Sequence, residues 1–372
     1  MKIKGIKYIG PLFDGSGYGQ AARGNVMALH KLGVPITLAP VSFERVRPNH
    51  GRFGPALESL VNKEIDYNFV VIHTTPEFWR QHVEPDKINV GYTIWETSKL
   101  HSSWPVYINN SVSKVLVGCE WNVGVFRDSG VTIPIGVVPH IIDVEEFENI
   151  KPYNIVGIDE KTYVFYDIFQ FTERKHPPAL LKAYWHTFTQ EDNVALVLKT
   201  YRNGYEEKEK DVVRTIITNL KKICVMDYYP KVYFISHMLT RDEILGLHSR
   251  CNCFVSLDRG EGFGLSGFTA GAFGNPIIVT GWGGATEYAK PDNSYLVNHT
   301  LTPVSGMRWI PWYRGDQLWA EPDLKHASDI MREVYENPID AEAKGMHLRR
   351  YIRENFSWEV VGKRFIKELE DA

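Results

Sequence analysis

Phe254-Val-Ser-Leu257 is a short apolar run, and the seven residues after it, Asp258-Arg-Gly-Glu-Gly-Phe-Gly264, carry three glycines. A helix is predicted to start at Leu265, followed by a buried strand over 276–280 and a second glycine turn at Gly283-Gly284. Gly260, Gly262 and Gly264 admit positive φ and let a backbone approach a ligand closely. A helix opening directly from such a turn aims its free N–H groups and its positive dipole end at an anion. Glu261 sits inside the turn, where a carboxylate can accept hydrogen bonds from hydroxyls. Phosphate donors beside a hydroxyl acceptor are the elements of a nucleotide-sugar site.

The same strand-then-helix rhythm runs along the whole chain. Strands are predicted over 5–10, 35–41, 68–73, 88–94 and 114–118, with helices over 19–32 and 120–129 among them. A second series has strands over 163–168, 194–199, 231–235, 252–257 and 276–280, with a short one at Tyr295-Leu-Val297. Helices are expected over 177–189, 205–222 and 240–249, and at the end over 323–336, 340–354 and 358–369. Short apolar strands alternating with helices indicate parallel sheets covered on both faces. The fold class is therefore α/β with two doubly wound, Rossmann-like domains. The polar stretch from Glu145 to Gly157, with Pro152, is the linker candidate, giving domains of 1–148 and 149–355 and a C-terminal helix over 356–372. Ligands of such sheets bind at the carboxyl ends of the strands, so a site is expected in the cleft between domains.

Composition removes several classes. The net charge of −3 gives no basic footprint for nonspecific nucleic-acid binding. Cys119, Cys224, Cys251 and Cys253 form no C-x-x-C pair, so reduced thiols in a cytoplasmic protein are expected rather than a zinc site. No apolar run approaches the roughly 20 residues of a membrane helix. The chain lacks a P-loop, an H-E-x-x-H helix, a G-x-S-x-G elbow and a D-x-D metal motif; Asp143-Val-Glu145 is the nearest string to the last. No metal and no bound cofactor are expected.

A second glycine loop follows the first strand. Gly17-Tyr18-Gly19-Gln-Ala-Ala22 matches the dinucleotide fingerprint in form, and Glu44 lies near the distance of its ribose acid. This is the case for an NAD-dependent oxidoreductase. Against it, Pro11 to Ser16 separate the motif from the strand it should follow at once. After strand 163–168, Arg174 and Lys175 precede a proline-started helix, where they can neutralise a diphosphate leaving group. Lys199 ends a buried strand at the same sheet edge. In the first half, His73 closes its strand, and Trp95 and Glu96 end the next in a polar cluster, Thr93-Ile-Trp-Glu-Thr97. Glu120 complements a helix N-terminus.

The Glu261-Gly-Phe-Gly264 turn, followed by Gly274-Asn-Pro-Ile-Ile-Val-Thr-Gly-Trp282, resembles the donor-site signature of the retaining glycosyltransferases of family 4, which have the GT-B fold. The resemblance extends more weakly over almost the whole chain. It departs from the pattern at Thr269, where the family has a second Glu, and at Gln170, where it has an Arg five positions before the Lys matched by Lys175. The resemblance implies a metal-independent transferase that moves a sugar from a nucleotide diphosphate sugar to a hydroxyl acceptor with retention. It implies that the final helices pack back toward the first domain. Catalytic roles then fall to Lys175, Arg174, Glu261 and Glu96. Donor binding falls to Gly17, Tyr18, Gly19, Lys199, Gly262, Phe263, Gly264, Leu265 and Thr269, and the acceptor side to His73 and Trp95. Cys119-Glu-Trp-Asn122 resembles a Ser-Glu-x-Asn helix start of the relatives, and His140 and Asp143 their interdomain segment. The expected acceptor is a surface polysaccharide or lipid-linked glycan, placing the enzyme in the cytoplasm or peripheral to the membrane. A hydroxymethylated base of phage DNA is the alternative acceptor, disfavoured by net charge. A degenerate transferase that only binds remains a further reading, since Thr269 removes a carboxylate.

Overall fold

The computed structural model describes residues 1–43 and 54–372. The chain divides into two compact units, the first formed by Met1–Glu145 with Arg353–Ala372 and the second by Glu146–Ile352.

In the first unit the strands are β1 (Ile6–Gly10), β2 (Ile36–Pro40), β3 (Phe69–His73), β4 (Ile88–Tyr92), β5 (Lys114–Val117) and β6 (Ile135–Val137). They form one parallel sheet in the order β2-β1-β3-β4-β5-β6. All five residues of β3 and all four of β5 are buried, as an all-parallel sheet covered on both faces requires. The helices are α1 (Gly17–Lys31), α2 (Gly54–Leu60), α3 (Trp104–Ser111), α4 (Glu120–Asp128) and, from the end of the chain, α11 (Trp358–Glu370). Helix α11 lies against α1, where Gly362 leaves room for Leu32 and Ala28. Its N-terminus is capped by Ser357, whose side chain accepts from Val360 N–H.

The second unit repeats the plan. Its strands β7 (Tyr163–Gln170), β8 (Val194–Tyr201), β9 (Val232–Ile235), β10 (Cys253–Ser256), β11 (Ile277–Thr280) and β12 (Tyr295–Val297) are parallel, in the order β12-β11-β10-β7-β8-β9. Helices α5 (Pro177–Thr187), α6 (Glu207–Cys224), α7 (Arg241–Arg250), α8 (Leu265–Phe273), α9 (Leu324–Glu336) and α10 (Pro338–Asn355) accompany them, the last reaching into the first unit's final segment. One core joins Phe165, Leu196 and Val255 of the sheet to Leu180 and Tyr184 of α5 and Ile330 and Met331 of α9.

The strand β6, the helices α2 and α3 and one hairpin lie outside the sequence-based expectation. Residues 299–322 carry an antiparallel hairpin of β13 (His299–Pro303) and β14 (Leu318–Pro322). Its strands are as long as those of the parallel sheets, but β13 is largely exposed and each strand ends in proline, so neither reads as the apolar run that a buried parallel strand gives. A small core of Val304, Met307 and Trp319, packed by Trp282, Ile310 and Tyr313, holds it together.

Candidate active site

An open α/β sheet binds ligands outside the carboxyl ends of its strands, at the point where the winding reverses. In the first unit that point lies between β1 and β3; in the second it lies between β7 and β10.

At the second unit's reversal point, β7 runs out into residues 171–176 and β10 into residues 257–264. The two loops are tied by their backbones, Arg259 N–H donating to the Arg174 carbonyl at 2.7 Å. Arg174 Nη1 donates to the Gly260 carbonyl at 2.6 Å and to Glu261 Oε1 at 2.8 Å. Lys175 Nζ donates to the same carboxylate oxygen. The structure thus brings Arg174, Lys175 and Glu261 into one cluster, with side chains only 12–16% exposed.

Two buried carboxylates lie within electrostatic reach of Lys175. Burial pushes the Asp167 carboxyl up to about 7, with Lys175 pulling it down and the neighbouring Asp258 adding to the rise. Burial also raises Asp258, against the pull of Lys175 and Arg174, and its Oδ2 accepts from Ser256 Oγ at 3.0 Å. The cations are therefore set among three carboxylates, two of which, Asp167 and Asp258, are raised by burial. Asp167 was not singled out from the sequence, although a lone acid within the apolar run of β7 is a signal that a buried charge needs a partner.

The glycine turn leads straight into α8. Among Gly260, Gly262 and Gly264, only Gly264 takes a left-handed backbone, with φ +83°, as the N-cap of α8. No side chain caps that helix, so its first-turn N–H groups carry the partial positive charge of the helix end. Tyr288 Oη donates to the Gly264 carbonyl at 2.7 Å and fixes the turn from behind. The second glycine turn packs beside the first, Gly284 N–H donating to the Glu261 carbonyl at 2.7 Å. Leu265 and Gly264 are partly exposed, whereas Gly262 is buried. Phe263 is buried, packed edge-to-face on Phe268 and tilted against Tyr288, so its ring belongs to the core beneath the turn rather than to its open side. Thr269 is 3% exposed and its hydroxyl donates to the Leu265 carbonyl at 2.9 Å, one helical turn back.

Lys199 is buried on β8 and paired with a tyrosine. Its ammonium bonds Tyr205 Oη at 3.2 Å and lies 4.7 Å from that ring's centroid, and burial lowers it to about 8. Gln170, at the place of the family's Arg, is exposed and donates to the Arg202 carbonyl.

At the first unit's reversal point, Gly17, Tyr18 and Gly19 form the opening turn of α1, and Ser16 Oγ caps it by accepting from Gly19 N–H at 3.1 Å. The dinucleotide fingerprint needs its first glycine in the tight turn directly after the strand, whereas Pro11 to Ser16 separate β1 from Gly17, so the match to it is one of letters and not of geometry. Gly19 lacks a Cβ for a different reason: the carbonyls of Asp14 and Pro11 occupy the space. Buried Asp14 accepts from Ser42 Oγ and Phe43 N–H, each at 2.7 Å, and folds the loop over the helix end. Glu44 lies outside the described residues.

His73 is buried at the end of β3. Tyr8 Oη lies 2.7 Å from its Nδ1, and its ring centroid is 4.3 Å from that of Tyr92 and 5.5 Å from that of Tyr18. Burial, with His140 adding to it, holds His73 well below the ordinary imidazole range, so the ring is neutral. Tyr18 Oη lies 2.8 Å from Thr93 Oγ1 and feels the charges of Glu96 and Glu77. Tyr18, His73 and Thr93 are thus brought together, with Glu96 nearby and partly exposed. Trp95 departs from its expected place. Its indole N–H bonds Thr97 Oγ1 and the Lys99 carbonyl, its ring packs on Trp104, and its backbone is bridged by the Asn122 amide. Trp95 is 4% exposed and serves the core. His140, buried and lowered to about 3, bonds Tyr92; Asp143 pairs with Lys31 and Glu120 with Arg364.

Among the described residues no group of three or more His, Cys, Asp or Glu side chains is placed to hold a metal ion, and no helix is long and apolar enough to cross a membrane.

No family model matches the chain. It is 21% identical over 296 residues to uncharacterized protein 356 of Sulfolobus islandicus rod-shaped virus 1, covering 79% of each chain. It is 23% identical over 239 residues to a GDP-mannose-dependent monoacylated alpha-(1-6)-phosphatidylinositol monomannoside mannosyltransferase of Corynebacterium glutamicum, covering 63% of this chain and 55% of that one. Among solved structures, Anabaena HepE in complex with UDP-glucose superposes with a TM-score of 0.68 at 13% identity, over 100% of both chains. Sucrose-phosphate synthase from Thermosynechococcus elongatus gives 0.70 at 14% identity, over 99% of this chain and 98% of that one. Two six-stranded parallel sheets with flanking helices, superposing along the full chain on these proteins, give it the GT-B fold.

Proposed function

We propose that the chain is a glycosyltransferase that takes a sugar from a nucleoside diphosphate sugar and passes it to a hydroxyl acceptor. The observation that carries this reading is the pairing of Arg174 and Lys175 beside the Glu261 glycine turn at the reversal point of the second sheet. The likeness in fold to a protein solved with UDP-glucose and the similarity to a mannosyltransferase support it.

In the proposed reaction the bond between the sugar's anomeric carbon and the diphosphate oxygen breaks, and its electron pair stays on the diphosphate. The acceptor oxygen bonds the anomeric carbon on the same face, and its proton passes to the departing phosphate. Charge grows on the leaving oxygen as the bond lengthens, so fixed positive groups there lower the barrier more than they tighten binding. Arg174 and Lys175 supply two such groups and the open end of α8 a third. Since Glu261 accepts from both cations, a diphosphate competes with it for the same N–H donors, and the displaced carboxylate is then available to sugar hydroxyls. Two side-chain cations next to the diphosphate take the part a divalent ion plays elsewhere, so transfer is proposed to be metal-independent. Retention follows from attack and departure on one face. The proposed acceptor is a glycan or lipid-linked glycan.

The test is a thermal shift panel. UDP, GDP, ADP or TDP is expected to raise the melting temperature, since a ligand at a hundred times its dissociation constant stabilises by about 2.7 kcal/mol. Stabilisation by NAD(H) and by none of the four diphosphates overturns the reading.

A further inference from the structure

The β13–β14 hairpin touches both loops of the candidate site. Glu321, on β14, accepts from the two sides at once: His176 Nε2 lies 2.9 Å from its Oε1, and Arg259 donates to its Oε2 at 2.7 Å. His176 directly follows Lys175 and is held in the left-handed region, φ +47°, where a side chain other than glycine costs free energy. Arg259 directly precedes Gly260, whose carbonyl receives Arg174, and its own N–H bonds the Arg174 carbonyl. The hairpin reinforces the same contact. Ala320 N–H donates to the Arg259 carbonyl at 2.8 Å, and the Arg259 guanidinium lies 5.1 Å from the Trp319 ring centroid. Gly306, at the hairpin's turn with φ +87°, sits so close to Glu173 that a Cβ there would come within 2.7 Å of its Cγ.

We propose that Glu321 is a positioning residue: it holds the Arg174–Lys175 loop and the Glu261 loop in one register, so that both cations meet the same ligand oxygens. This rests on the diphosphate reading above. The energetic scale favours geometry over stability as its main effect. Glu321 is about a third exposed, and ion pairs at that exposure add little to folding. Catalytic groups, by contrast, lose roughly a hundredfold in rate for about 1 Å of displacement.

Two measurements on Glu321→Ala and Glu321→Asp test this, with hydrogen exchange read residue by residue and steady-state kinetics on whichever nucleotide sugar the protein turns over. For Glu321→Ala, exchange at the Arg259 and Ala320 amides should quicken at least tenfold while the β8 amides of Leu196 to Leu198 stay within twofold. Turnover should fall at least tenfold with the donor KM within threefold, and Glu321→Asp should recover part of both effects. Three results overturn the proposal: unchanged exchange at Arg259, equal acceleration in β8 (a general loss of stability), or faster exchange at Arg259 with full turnover. If the native chain turns over no nucleotide sugar but the Arg259 amide still responds, the diphosphate reading fails while the tie between the loops stands.

Discussion

Gly264 and Tyr288 offer a perturbation whose size can be worked out beforehand. A Cβ at Gly264 would lie 2.9 Å from Tyr288 Oη, and the backbone there is left-handed at φ +83°. Gly264→Ala therefore meets two separate costs. The left-handed backbone costs about 1–2 kcal/mol for any residue with a Cβ. The overpacked contact adds about 1–3 kcal/mol, because the Tyr288 hydroxyl is held by its bond to the Gly264 carbonyl and has nowhere to retreat. Tyr288→Phe alone loses that one hydrogen bond, about 1 kcal/mol. It also removes the clashing oxygen, after which the nearest atom is Ala285 Cβ at 3.5 Å, an ordinary contact. In the Tyr288→Phe background, Gly264→Ala should consequently cost only the backbone part, about 1–2 kcal/mol. The cycle predicts a coupling of about 1–3 kcal/mol between the two positions, of the sign that makes the double variant better than additive. Native-state hydrogen exchange at the β10 amides reads this directly for the second unit, each factor of ten in rate being about 1.4 kcal/mol. An additive cycle would refute the reasoning, showing that the Tyr288 hydroxyl does not confine the N-cap of α8.

Three further outcomes are expected. Asp167 has its carboxyl raised from an ordinary 3.8 to about 7, so the folded chain binds a proton more tightly than the unfolded one. Its contribution is full below pH 4 and is lost as pH climbs to 7, at up to about 1.4 kcal/mol per unit. Asp167→Asn should gain on the native protein by that slope in urea denaturation across the window, and parallel profiles would show that the group is not raised. Lys175→Ala should lower turnover by about 10²–10³, well beyond the factor by which it weakens donor binding, the signature of a group used most as the bond breaks; a change confined to KM would make Lys175 a docking residue. Transfer should survive EDTA, and loss restored by Mg²⁺ or Mn²⁺ would contradict the proposed metal-free site.

The α/β class and nearly every parallel strand were legible in the sequence because buried parallel strands are continuous apolar runs. Val194 to Lys199 shows this, every residue of it being buried. The hairpin was not legible, since β13 is largely exposed and forms no apolar run, and its core is packed by Trp282, which lies outside both strands. Composition and spacing also drew attention to Arg174, Lys175 and Glu261, which the structure brings together. Spacing could not say where a side chain ends up once a strand turns. Trp95 and Phe263 stand in conspicuous motifs yet are consumed by packing, and the Thr269 hydroxyl bonds its own helix. Nor could it show Glu321, which joins two loops from 62 and 145 residues away.

The most direct test of the central claim is a calorimetric titration comparing a nucleoside diphosphate with its unphosphorylated nucleoside, for the native chain and Lys175→Ala. A charge-assisted bond to the diphosphate is worth about 1.5–3 kcal/mol, so the native chain should prefer the diphosphate by at least tenfold. Lys175→Ala should lose at least ten times more affinity for the diphosphate than for the nucleoside. A native chain that binds no nucleoside diphosphate, or a preference that survives unchanged in Lys175→Ala, would contradict the assignment of the site.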